Sequence, residues 1–147
     1  MEKVMPTLSM KTEINRDVLR RLADSRLAEF DTLRLASPPH YAAALYLAGY
    51  AVEVLLKCAI CKALNLDELP VVFHIHDLET LLFFSGLYKE IQIDAAVWTS
   101  FRRIQATWNE KRRYTDPLTV SAAECNNLNR WLNDPISGVV PWLEARL

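Results

Sequence analysis

Between residues 41 and 63 the chain carries only three charged side chains, Glu53, Lys57 and Lys62, and its apolar residues run around every face of the helix they would form. A helix that is hydrophobic all round must be enclosed, by neighbouring helices, by a second subunit or by lipid. Lipid fits poorly. Residues 35–52 are eighteen positions without Asp, Glu, Lys or Arg, but Pro38, Pro39 and His40 interrupt them, and Glu53 and Lys57 fall where the hydrophobic centre of an extended span would lie. No membrane association is expected. The rest of the chain must therefore cover this helix.

Apolar residues recur at helical spacing almost throughout, and no six-residue run alternates strictly, so the expected class is all-α. A first helix is expected over 16–36, capped by Asn15, with Val18, Leu19, Leu22, Leu27, Phe30, Leu33 and Leu35 as its apolar stripe. Ser37-Pro38-Pro39 should end it and open the central helix over 39–64. Within that helix Ala44, Ala48 and Gly49 form a small-residue strip, which points to a closely packed neighbour at Gly49. Residues 65–76 read as a loop whose Val71, Val72 and Phe73 plug the core. Asp77 caps a third helix over 78–85 closed by Gly86, and 87–93 is a turn with a fragment of helix. Asp94 caps a fourth helix over 95–113 that stops before Pro117, with Val97, Trp98, Phe101, Ile104 and Trp108 facing inward. Ser121 and Glu124 have capping-box spacing ahead of a fifth helix bearing Cys125, Leu128, Trp131 and Leu132. A short helical extension carries Ile136, Val139, Val140 and Leu143. Residues 1–14 are expected as a flexible lead-in and 15–147 as one domain, a length that buries a sizeable core.

Only three glycines occur, each alone, so neither a dinucleotide-binding glycine motif nor a P-loop can be written anywhere. A phosphate would have to be held by side chains or helix N-termini. With 17 Lys and Arg against 18 Asp and Glu, the average charge suggests no nucleic-acid partner, yet residues 102–114 hold five basic side chains and one acidic. Three cysteines and no apolar leader point to a reducing compartment. Cys58-x-x-Cys61 has the spacing of half a zinc site, but it lies mid-helix with only Cys125 to add, so no metal is expected and these thiols read as buried small side chains.

Three groups remain that could carry chemistry. Glu53 and Lys57 stand four apart on a helix that otherwise avoids charge, as a structural ion pair or as the lining of a polar cleft. His74-x-His76-Asp77 precedes a helix start; Asp77 suits capping, and His76 can hydrogen-bond a phosphate. In Trp108-Asn109-Glu110-Lys111-Arg112-Arg113-Tyr114, guanidinium groups beside rings suit phosphate and base recognition, and equally suit the end of a helix dipole.

The order of these pieces resembles that of the HEPN family of helical domains: Ala48-Gly49-Tyr50-Ala51-Val52-Glu53-Val54-Leu55-Leu56-Lys57, then His76-Asp77-Leu78-x-x-Leu81-Leu82, then Arg113-Tyr114 ahead of Ala123-Glu124. The likeness covers roughly residues 15–133. It implies an antiparallel bundle of four or five helices, commonly homodimeric, with a polar groove near the seam. The family's roles are nucleotide binding, partnership with a small nucleotidyltransferase, and metal-independent RNA cleavage in toxins and defence systems. Catalytic members carry an Arg followed four to six residues later by a His near the last core helix. Here His40, His74 and His76 all precede Arg102; Arg34 and His40 have that spacing, but across Pro38-Pro39.

The expectation is thus a cytoplasmic homodimer, without cofactor or hydrolytic activity, that binds a nucleotide or RNA phosphate and works with a nucleotidyltransferase-type partner in a toxin–antitoxin or defence-like setting. Arg112, Arg113 and Tyr114 would take phosphate and base, with Glu53, Lys57 and His76 as further groove residues. Two alternatives stand beside it. One is a ribonuclease toxin in which a relocated His76 works with Arg112 or Arg113; the other is a structural dimerisation module.

Overall fold

The computed structural model describes residues 14–147, which form seven α-helices: α1 (Arg16–Leu35), α2 (Tyr41–Leu64), α3 (Leu78–Phe84), α4 (Tyr88–Ile93), α5 (Ala95–Thr107), α6 (Ala122–Asn133) and α7 (Val139–Glu144). Among the described residues there is no strand, only an isolated bridge between Asn15 and Glu68, so the expected all-α class is the observed one. The expected lead-in lies outside the described residues except for Ile14, whose carbonyl accepts from Leu69 N–H at 2.9 Å.

The helix starts follow from their caps. Asn15 Oδ1 accepts from Asp17 N–H at 2.7 Å, and Asp77 and Asp94 accept from Thr80 and Val97 N–H, each at 3.3 Å. Ser121 and Glu124 complete a reciprocal capping box. At the other end of α2, Asn65 adopts the left-handed conformation (φ 52°), and Gly86 does so after α3 (φ 78°).

α2 is the axis of the molecule. α1 runs antiparallel to it: Leu33 C=O meets His40 N–H at the connecting turn, and the Cys58 thiol lies 3.9 Å from Arg16 C=O at the far end. α5 finishes and α6 begins beside the first turns of α2, while α7 returns to its last turn, where Lys62 Nζ donates to Arg146 C=O at 2.6 Å. Every residue of α2 from Ala51 to Cys61 is buried. Its length and composition would suffice to cross a membrane, but its apolar surface is covered by the chain's own helices. Fully buried side chains such as Leu45, Leu55, Leu56 and Ile60 each contribute about 1.5–3 kcal/mol.

Four sequence expectations are corrected. The fourth helix ends at Thr107, six residues before 113, because Trp108 turns to extended backbone (φ −124°, ψ 137°). Its indole N–H donates to Tyr46 C=O at 3.0 Å and its ring lies on Gly49, where a Cβ would come within 2.1 Å of Cγ. That ring is the close neighbour Gly49 admits. Val71 and Val72 do not plug the core: they are 80% and 71% exposed, and only Phe73 turns inward, its ring 5.2 Å from that of Phe84. α2 starts at Tyr41, leaving Pro39 in the link and His40 as its N-cap residue. Val18, Leu35 and Ile136 are exposed rather than part of their stripes.

Candidate functional site

Tyr46, Tyr50, Glu53 and Lys57 recur on α2 at intervals of four, three and four, which sets them along one face. Toward its middle this face holds a charged cluster. Glu53, 1% exposed, divides its carboxylate between two partners: Oε2 meets Lys57 Nζ at 3.0 Å, and Oε1 meets His76 Nδ1 at 2.8 Å. Lys57 is buried with it, so the two form an ion pair sealed in the core, with one edge reaching the surface through His76. The His76 side chain is 53% exposed. Its bond to Glu53 orients the ring, and Nε2 makes no hydrogen bond among the described residues. Asp77 next to it is occupied as the cap of α3, accepting from both Thr80 N–H and the Thr80 hydroxyl.

Toward the start of α2 the same face meets the basic segment. After Trp108, Asn109 Oδ1 accepts from Lys111 N–H at 2.9 Å and starts a 3-10 turn, Glu110–Tyr114. That turn folds Arg112 and Arg113 back against the first two turns of α2, where they and Ala42, Ala43, Tyr46 and Pro117 line an open cavity of about 350 Å3. Arg112 is held in place: Nε donates to Thr107 C=O at 2.8 Å, and Nη2 lies 3.7 Å from Glu124 Oε1. Its remaining N–H groups make no hydrogen bond among the described residues. Arg113 has no acidic partner among the described residues and stacks over the exposed Tyr114 ring at 4.9 Å.

Two rings connect these regions. Tyr46 stacks on Tyr50 with centroids 6.1 Å apart, and on Trp108 at 6.2 Å. Burial, and then the Glu53 carboxylate, push the Tyr50 phenol above its usual pKa, so it stays a neutral hydrogen-bonding group at physiological pH. Sequence reasoning passed over Tyr46 and Tyr50, although their spacing to Glu53 and Lys57 is a readable signal.

Of the six residues singled out from sequence, then, Glu53, Lys57 and His76 form one bonded cluster, and Arg112, Arg113 and Tyr114 a second group. Among the described residues no hydrogen bond or ion pair joins His76 to either arginine. Seven residues of α2 separate Tyr46 from Glu53, about 10 Å along the helix. The cysteines are free and buried. Desolvation raises the pKa of each, that of Cys125 to about 11, which makes them poor nucleophiles and poor metal ligands near neutral pH. Comparison of the chain with protein-family models, with curated proteins and with solved structures returns no match.

Proposed function

We propose that this protein is a HEPN-like helical domain that binds a nucleotide or an RNA phosphate and does not hydrolyse it. The observation that carries this reading is the cavity in which Arg112 and Arg113 overhang an apolar floor of Ala42, Ala43 and Tyr46. Guanidinium groups with donors to spare suit phosphate oxygens, an apolar floor suits a base, and about 350 Å3 falls within the range of small-ligand sites. Tyr114, exposed and already stacked with Arg113, extends the platform for a neighbouring base. His76 contributes an outer donor or acceptor, steadied by Glu53 and Lys57 beneath it. The reading includes a homodimer in the cytoplasm with a nucleotidyltransferase-type partner in a toxin–antitoxin or defence-like setting, on the strength of the sequence resemblance alone.

Fluorescence polarisation with labelled ATP and with a short single-stranded RNA, at 50 and 200 mM salt, tests it. Binding should weaken as salt rises and fall at least tenfold in Arg112→Ala/Arg113→Ala. Because Arg112 also supports the turn through Thr107, Arg113→Gln alone should reproduce part of the loss in a protein of unchanged melting temperature. No binding, or binding indifferent to these substitutions, would overturn the proposal. RNA cleavage abolished by His76→Ala would replace it with the ribonuclease reading. Light scattering on the purified protein checks the dimer.

A further inference from the structure

On the side of α5 turned toward α6, a separate furrow of about 390 Å3 runs past Ser100 and Arg103 to Arg130, Trp131 and Asp134. We propose that this furrow is a second ligand site, for a small phosphate monoester bearing free hydroxyls, of the class of a pentose phosphate or a nucleoside monophosphate.

The cationic half of the furrow is open. Arg102, one residue before Arg103, is engaged by Glu79 at 3.6 Å and by Gln105 at 3.0 Å. Arg103 has no acidic partner among the described residues; its guanidinium lies 5.9 Å from the centre of the Trp131 ring. Arg130 reaches only the neutral side chain of Asn127. Two guanidinium groups without an acidic partner among the described residues thus line one furrow. A phosphate monoester dianion accepts from both at once.

The polar half is built to receive hydroxyls. Ser100 is 5% exposed and lines the furrow, yet its hydroxyl meets no hydrogen-bond partner among the described residues. Thr99 next to it satisfies its own hydroxyl on Ala95 C=O at 2.9 Å, the ordinary solution inside a helix. The Ser100 hydroxyl opens onto the furrow, so a ligand group entering it can supply that partner. Asp134 holds the turn after α6: Oδ1 accepts from Ile136 and Ser137 N–H, each at 2.9 Å, and the Ser137 side chain adds a further hydrogen bond to the carboxylate. The carboxylate also lines the furrow, where it can accept from a sugar hydroxyl. Those backbone donors also hold the Asp134 carboxyl below its usual pKa, so it stays an acceptor across the physiological range. Two unpartnered guanidinium groups, an ionised acceptor and a hydroxyl in one furrow, beside a half-buried indole, suit a phosphate attached to a polyol better than a bare anion. A furrow of about 390 Å3 falls within the range of small-ligand sites.

The site is independent of the cavity at Arg112 and Arg113, and the two can be read separately in one experiment. In the 1H–15N spectrum of the full chain carrying Arg112→Ala/Arg113→Ala, the indole signal of Trp131, assigned with Trp131→Phe, should shift and saturate on titration with ribose 5-phosphate and with AMP. The Trp108 indole, which sits beside the altered cavity, should stay still. Tighter binding of AMP identifies a nucleoside monophosphate, and equal binding a sugar phosphate. Inorganic phosphate should bind at least tenfold more weakly, and ribose not at all. Arg103→Gln and Arg130→Gln should each reduce affinity at least tenfold without lowering the melting temperature. Ser100→Ala should leave the melting temperature unchanged, while weakening ribose 5-phosphate binding and leaving inorganic phosphate binding unchanged. An unmoved Trp131 signal, equal affinity for inorganic phosphate and ribose 5-phosphate, or indifference to Arg103→Gln and Ser100→Ala would overturn the proposal. Failure of the Arg112 and Arg113 reading leaves a Trp131 response intact.

Discussion

Glycine inside a helix costs about 1 kcal/mol relative to alanine, and at position 49 the indole of Trp108 accounts for it. Gly49→Ala should therefore destabilise the protein by about 1–3 kcal/mol through overpacking, measured by urea denaturation. Trp108→Ala should cost about 3–5 kcal/mol, and in that background Gly49→Ala should become neutral or stabilising. Equal destabilisation in both backgrounds would sink the assignment. Glu53 gives a second contrast. Glu53→Gln leaves Lys57 charged, buried and unmatched, for an expected loss of about 3–5 kcal/mol, whereas Glu53→Leu/Lys57→Met should fold with near wild-type stability. If that double variant also keeps its ligand binding, Glu53 and Lys57 serve the core alone. This pair was legible in the sequence because its partners are one helical turn apart. The bond from Glu53 to His76 was not, since it spans 23 residues and depends on how the loop before α3 lies over α2.

At the scale of elements, starts were easier to read than ends. Asn15, Asp77, Asp94 and Ser121 act on backbone groups within three residues, so local sequence determines them. Ser121→Ala should cost about 1 kcal/mol in thermal or urea unfolding. The end of α5 depends instead on a bond from Trp108 to a carbonyl 62 residues away, which no local pattern announces. Without that anchor the fourth helix should run on as its composition suggests. In Trp108→Ala, carbon chemical shifts of residues 109–113 should move toward helical values, and affinity at the Arg112 cavity should fall although no cation has been touched. The seam between α2 and α6 supplies a pH test. Cys125, buried with its thiol 3.4 Å from Tyr41 C=O, has its pKa raised to about 11 by desolvation, against about 8.5 for a free thiol. Its neutral form is favoured in the fold, so the stabilisation is complete below about pH 8.5 and is lost as pH rises toward 11. Cys125→Ala should flatten that part of the stability–pH curve.

For the whole molecule, one observation organises the rest: α2 lies inside the other helices. That much was legible, because an all-round apolar helix with three charges has few places to go; how its neighbours are arranged was not, since their stripes leave the order of packing open. The misread valines at 71 and 72 show the same limit, for apolar character alone does not say which side of a loop faces inward. Amides of residues 51–61 should exchange with deuterium only through global unfolding, with protection matching the unfolding free energy from denaturant. Earlier exchange there would mean that one of the covering helices opens independently. Burial of this kind also orders events during synthesis. α1 is made before α2, but α6 and α7, which close over its first and last turns, lie at residues 122–144. A ribosome that has released α2 but not α6 presents a 24-residue apolar helix with much of its surface bare. The growing chain therefore passes through a stage in which chaperones and membrane-targeting factors compete for its most hydrophobic segment, and that stage ends only when the last helices emerge.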